Sequence, residues 1–219
     1  MTSDDLIEMN RRVVFALWNV ASPTGIPKAL SPRLIFPELR TGDIRISEQE
    51  ARLLWCTMLQ DTSYYYAVEA PTVETYIQSG TRPISARTDL ALYQLLDSGL
   101  QRVANIEFKA HNATPEQIMK DIEKLIREKI TGNWFHLLSA ANAATIPRLF
   151  EKFVAAFTAC SSLVSHDIDI VFCICVLHNR KMLARRFTFN QDQGDFVEHV
   201  SDFFSKPDAW VATFPEISG

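Results

Sequence analysis

From Tyr64 onward the apolar residues of this chain fall at every second position, and after Ala110 the spacing lengthens to three and four. A long period-two stretch requires strands with alternating faces. The helical period that follows supplies the elements to cover them, so the chain is expected to be α/β. The β-rich segments are Tyr64–Val68, Val73–Gln78, Ile84–Tyr93 and Arg102–Ala110. Ala70-Pro71, Ser79-Gly80 and Asp97-Ser98-Gly99 separate them, which predicts an antiparallel meander.

Helix signals flank the meander. Leu6, Met9, Val13 and Leu17 predict a helix over Asp4–Val20, followed by a connector in which Pro23, Pro27, Pro32 and Pro37 oppose regular structure. This divides the chain into an N-terminal helical arm and connector, 1–46, and a main domain, 47–219. Ser47 and Glu50 have capping-box spacing ahead of a helix at about 48–60. Thr114, Pro115 and Gln117 start another, with Ile118, Ile122, Leu125 and Ile126 as its core stripe and Gly132 as its stop. A strand at Trp134–Ala140, a helix at Ile146–Cys160, strands at Ile168–Leu177 and Leu183–Phe189 and a helix at Phe196–Phe204 complete the order. Strand, crossover helix and strand from Arg102 to Ala140 imply a parallel unit beside the meander. The sheet should therefore be mixed, with helices on both faces.

Composition removes several classes of function. With 47% apolar and 22% charged residues in 219, the chain can bury a sizeable core. The longest apolar run, Ile170–Leu177, falls well short of the roughly 20 residues that cross a bilayer, and the start of the chain lacks signal-peptide order. A soluble, cytoplasmic protein with no membrane partner is expected. Cys56, Cys160, Cys173 and Cys175 lie in apolar patterns and form no C-x-x-C pair, which suits core packing better than zinc. A net charge of −4 argues against coating nucleic acid through bulk charge but leaves room for a local basic groove. Phosphate-binding glycine loops, the H-E-x-x-H zinc motif and the G-x-S-x-G elbow are all missing from the sequence.

One cluster has the makings of chemistry. Glu107 and Lys109 stand two apart in V-A-N-I-E-F-K-A-H and share a strand face, whereas Ala104, Ile106 and Phe108 point the other way. A hairpin centred on Ser98 pairs Asp89, in I-S-A-R-T-D-L-A-L-Y, directly with Glu107. Opposed carboxylates repel unless a cation lies between them. Two carboxylates, the main-chain carbonyl of Phe108 and water make the oxygen shell that Mg²⁺ prefers, with Mn²⁺ as its substitute. Lys109 on the same face can hold a water and offset charge growing on phosphorus.

An Asp on one strand and E-x-K on the next, after an acid-bearing helix and before an α-β unit, resembles the PD-(D/E)XK nuclease superfamily over about residues 47–178. The resemblance implies a restriction-endonuclease-like core of α-β-β-β-α-β order. It also implies a Mg²⁺-dependent endo- or exonuclease acting on DNA ahead of RNA, of the kind used in restriction, repair or defence. Asp89 and Glu107 become metal ligands and Lys109 the catalytic lysine. Glu50 from the preceding helix becomes the further acid, with Glu48 and Glu69 as substitutes. Thr88 stands where the motif name has proline. Because a duplex has two strands, the reading leaves room for a homodimer or partner subunit, with Asp4–Val20 serving either as that contact or as an arm packed on its own domain.

Each residue also has a plainer reading. Glu107 and Lys109 suit an exposed strand face and Glu50 suits the cap alone, while His111, one step further along the Glu107 and Lys109 face, suits either contact with a phosphate or leaving group or a solvated strand end. Lys120 and Lys124, one turn apart, suit either a phosphate backbone or a surface salt-bridged with Asp121 and Glu128. Arg180, Lys181, Arg185 and Arg186 suit either nucleic-acid contact or a guarded edge strand, and Arg82 and Arg87 flank the Asp89 strand. The rival function is a non-catalytic binding module on the same scaffold.

Overall fold

Six strands form one open mixed sheet in chain order: β1 (Tyr65–Tyr76), β2 (Ile84–Leu96), β3 (Gly99–Ala110), β4 (Thr131–Leu138), β5 (Ile168–Val176) and β6 (Lys181–Phe189). β1 to β3 are antiparallel, β3 to β5 parallel, and β6 returns antiparallel to β5. The computed structural model describes residues 1–21, 34–41, 44–76, 84–206 and 209–210. Pro23, Pro27, Pro32, Gln78, the Ser79-Gly80 turn and Arg82 lie outside these residues.

The helices divide between the two faces, as an α/β sheet with parallel strands requires. α1 (Ser3–Val20) and α2 (Glu48–Leu59) lie on one face, where Leu6, Val13, Leu54 and Trp55 pack with Leu90, Ile106, Phe108, Phe135 and Cys173. α3 (Pro115–Arg127), α4 (Thr145–Ala159) and α5 (Phe196–Ser205) cover the other, with Ile122, Phe153, Phe157 and Phe204 on Trp134, Phe172 and Phe187. Phe153 meets Trp134 and Phe172 edge-on at 5.2 and 5.1 Å, each pair adding about 0.5–1.5 kcal/mol to simple burial. α1 packs across the sheet itself, and its Asn10 donates to Asn133 of β4 at 2.7 Å in the buried layer. Its apolar stripe is therefore used within the chain. No helix among the described residues is long and apolar enough to cross a membrane.

Four boundaries differ from the sequence expectation for local reasons. Ala70-Pro71 does not turn: β1 runs through as one strand with an irregularity between Pro71 and Thr75, tolerable because β1 is an edge and the proline needs no donor there. Gly132 does not stop α3, which ends at the Glu128 cap. Gly132 lies in β4, where a Cβ would meet Ile170 at 3.0 Å and Leu125 at 3.3 Å. The glycine lets α3 approach the sheet. The meander hairpin has a two-residue turn, Asp97-Ser98, since Leu96 pairs with Gly99. A bulge at Val103 then shifts the register by one, so that Leu92 pairs with Ala104 and Leu90 with Ile106. β6 begins at Lys181, two residues ahead of the strand expected from Leu183.

Candidate active site where β2 and β3 part

Leu90–Ile106 is the last laddered pair of the β2–β3 hairpin, and one further step along each strand reaches Asp89 and Glu107. Here β2 stays with β1 while β3 stays with β4, so the hairpin opens. The Asp89 carboxylate takes the place of a ladder partner, Oδ2 accepting the Phe108 N–H at 2.8 Å. Glu107 is wholly buried and Lys109 half-buried on the face that α3 covers.

α3 completes the cluster with two residues that sequence had placed on a surface. Lys124 is buried, and its ammonium donates to Glu107 Oε2 at 2.7 Å and to the Arg87 carbonyl at 2.9 Å. It also pairs with Asp121 Oδ1 at 2.7 Å. Asp121 is buried as well, and its Oδ2 lies 2.5 Å from Lys109 Nζ. Lys124 is therefore no nucleic-acid contact, and only Lys120 of that pair faces outward. The signal was present in the helix period. Asp121 sits between Ile118 and Leu125 on the apolar stripe, and Asp121, Lys124 and Glu128 recur at helical spacing beside it. Glu128 is structural: it accepts the Val73 and Glu74 amides at 2.9 and 3.0 Å and so holds the irregularity in β1.

Glu50 does not reach the cluster. Its carboxylate accepts the Ser47 amide at 2.9 Å and the Ser47 hydroxyl at 2.6 Å, closing the capping box of α2. Glu48, in the same turn, is the acid that feels Lys109, Asp89 and Asp121. Glu69 pairs with Arg52 at 2.5 Å. His111 Nε2 donates to the Ile46 carbonyl at 2.7 Å, which ties the end of β3 to the entry of α2. Arg87 is exposed at the edge of the site. Of the last-hairpin cations, Arg186 pairs with Asp169 and Arg185 lies over the Phe203 ring. Arg180 and Lys181 remain exposed at the end of β5, the same end of the sheet as His111.

The electrostatics are those of a crowded, partly dry acid cluster. Burial pushes the Glu107 carboxyl well above its ordinary range, and repulsion from Asp121 and Asp89 adds to this while Lys124 opposes it. Burial also raises Asp89, against the Phe108 hydrogen bond, and raises Glu48. Lys109 and Lys124 are disfavoured by burial but raised overall, because the surrounding carboxylates hold them charged. Four carboxyl groups thus face two ammonium groups. Among the described residues no three His, Cys, Asp or Glu side chains converge closely enough to cage a metal. The donor chemistry nevertheless fits a hard divalent cation: every donor is oxygen, carboxyl groups outnumber ammonium groups, and Glu107 Oε1 is buried with no partner among the described residues. Mg²⁺ is commonly held by one or two carboxylates with water filling the rest of its shell.

No family model matches the chain, and neither a curated protein nor a solved structure matches it.

Proposed function

We propose that this chain is a metal-dependent phosphodiesterase of the PD-(D/E)XK type, with a restriction-endonuclease-like core, acting on nucleic acid and on DNA ahead of RNA. The observation that carries the reading is the meeting of Asp89, Glu107 and Lys109 on one face where β2 and β3 part. The order α2-β1-β2-β3-α3-β4 agrees with that core. Asp89 and Glu107 are the residues that would hold Mg²⁺ or Mn²⁺; the Phe108 carbonyl accepts the Lys109 ammonium at 3.1 Å and would join them only where that contact gives way. Such a cation supplies positive charge beside a phosphoryl oxygen and makes water a better nucleophile at neutral pH.

The chain's own residues do the positioning. The Phe108 N–H fixes one oxygen of Asp89, so the carboxylate keeps a single orientation toward the opening. Asp121 holds the Lys109 ammonium at the mouth of the cluster, where it can orient a water for in-line attack and offset charge developing on phosphorus. Lys124 donates to Glu107 Oε2 and opposes the burial that disfavours its carboxylate, so a cation taking up Glu107 would share it with this ammonium. Exposed Arg87, Lys120, Arg180 and Lys181 are the candidate contacts to the phosphate backbone.

Purified protein is expected to cleave DNA or RNA only with added Mg²⁺ or Mn²⁺. Lys109→Ala should lower the rate at least about a hundredfold while the circular dichroism and melting profile persist. Metal-dependent cleavage that survives this substitution refutes the assignment. One observation favours a non-catalytic binding module: Lys124 already bridges Glu107 and Asp121. Calorimetry separates the two readings, since the enzyme should bind Mn²⁺ in a manner lost in Asp89→Asn, and the module should bind none.

A further inference from the structure

His111 has the carboxylate cluster on one side and a second cavity on the other. It lines both the recess at the start of α2, which contains Glu48, and a cleft of roughly 470 Å³ between the ends of β3 and β4 and the first turns of α4. That volume is within the range of small-ligand sites. The cleft wall includes His111, His136, Ser139, Thr145, Arg148 and Lys152, and no carboxylate among the described residues.

Its positive charge is built in rather than incidental. The Lys152 ammonium donates to Asn112 Oδ1 at 2.6 Å and to the Ala113 carbonyl at 2.8 Å, neutral acceptors that fix the charge without cancelling it. Arg148 is exposed one helical turn earlier on α4, so the two cations share a face of the helix. The start of α4 is closed by Asn142, whose Oδ1 accepts the Ala144 amide at 3.0 Å and whose carbonyl accepts the Thr145 amide at 3.1 Å, so the cleft's charge comes from the two side chains. His136 is fully buried in the wall and donates from Nε2 to the His111 carbonyl at 2.7 Å, which anchors the strand end that divides the two cavities.

We propose that this cleft is a phosphate subsite that receives the phosphate next to the scissile one on a nucleic-acid strand, bound by Arg148 and Lys152. The proposal rests on the phosphodiesterase reading of the neighbouring cluster and names where its substrate strand continues. His111 follows Lys109 by two positions, just past the end of β3, a reach of at most about 7 Å and comparable with the step between successive phosphates. The chain of a substrate placed at Lys109 would therefore pass the dividing histidine and set its next phosphate over the cationic wall.

The test is anisotropy of a fluorescein-labelled single-stranded oligonucleotide, and of its duplex, titrated with the full chain in EDTA across a salt series. Arg148→Gln and Lys152→Gln should each weaken binding several-fold and reduce the salt slope by about 0.7–0.9. Arg148 is exposed, so its substitution tests the cleft without threatening the fold, and unchanged melting verifies this. If both glutamine variants bind with unaltered affinity and slope, the subsite is refuted while the phosphodiesterase reading stands. If the unmodified chain binds neither oligonucleotide, the subsite is also refuted. If the variants lose binding but the unmodified chain never cleaves with Mg²⁺ or Mn²⁺, the subsite stands and the catalytic reading fails.

Discussion

Replacing Lys124 by methionine keeps most of the side-chain volume and removes one buried ammonium. Glu107 Oε2, Asp121 Oδ1 and the Arg87 carbonyl, now 2.7, 2.7 and 2.9 Å from that ammonium, all lose their partner together. Breaking a buried ion pair from one side costs about 3–5 kcal/mol, which for a chain of this size lowers the melting temperature by roughly 6–20 °C. The loss must depend on pH. Burial holds the Glu107 carboxyl well above its ordinary 4.5, so the folded state takes up a proton more readily than the unfolded one. That contribution to stability is complete below about pH 4.5 and disappears as pH rises through the folded value. Without the ammonium the folded value rises further. The deficit of the variant should therefore be small near pH 4.5 and grow toward pH 8, as read from urea midpoints in EDTA. Glu107→Gln should relieve much of the deficit in the double variant, because no buried carboxylate is then left uncompensated. Mg²⁺ at a hundred times its dissociation constant adds about 2.7 kcal/mol, and its effect should be larger in Lys124→Met than in the unmodified chain. A variant with the unmodified midpoint at pH 7.5, or with a deficit that ignores pH, would show that the network in α3 does not control the acid cluster.

Two further outcomes separate neighbouring roles. Glu50→Ala should cost about 1 kcal/mol by opening the α2 capping box yet leave cleavage intact, while Glu48→Gln should reduce cleavage with little change in melting; the reverse pattern in nuclease and melting assays overturns the assignment of Glu48. His136 is held neutral by burial, its value lowered from 6.5 to about 4, so its contribution to stability is present above pH 6.5 and lost as pH falls toward 4. At about 1.4 kcal/mol per pH unit the loss approaches about 3 kcal/mol, and His136→Gln, which retains a donor for His111, should flatten the acid limb of the urea midpoint. An unaltered acid limb refutes a neutral buried ring.

Local signals foretold much of the architecture because they act over a few residues. The capping boxes at Ser47 and Thr114 start helices where expected, and alternation in β3 puts Glu107 opposite in facing to Ile106 and Phe108. The approach of Asp89 to Glu107 was also legible, although by a compensation: the turn is one residue tighter than a hairpin centred on Ser98, and the bulge at Val103 restores the register before the site. Glu50 and Lys124 mark the limit. One carboxylate at the start of α2 folds back on Ser47 while its neighbour two residues earlier faces the cluster, and period alone does not choose between them.

The sequence by itself determined the α/β class, the meander, the crossover and the shared face of Glu107 and Lys109, since backbone propensity and side-chain period are properties of short segments. Only the tertiary structure decided that Asp121 and Lys124 enter the acid cluster and that Glu50 stays out of it. Those outcomes depend on which charges are driven from water together. Gly132 lets α3 settle against β4, and the acid and base that α3 carries must then neutralise one another beside the buried Glu107, a requirement that exists only once the layers have packed.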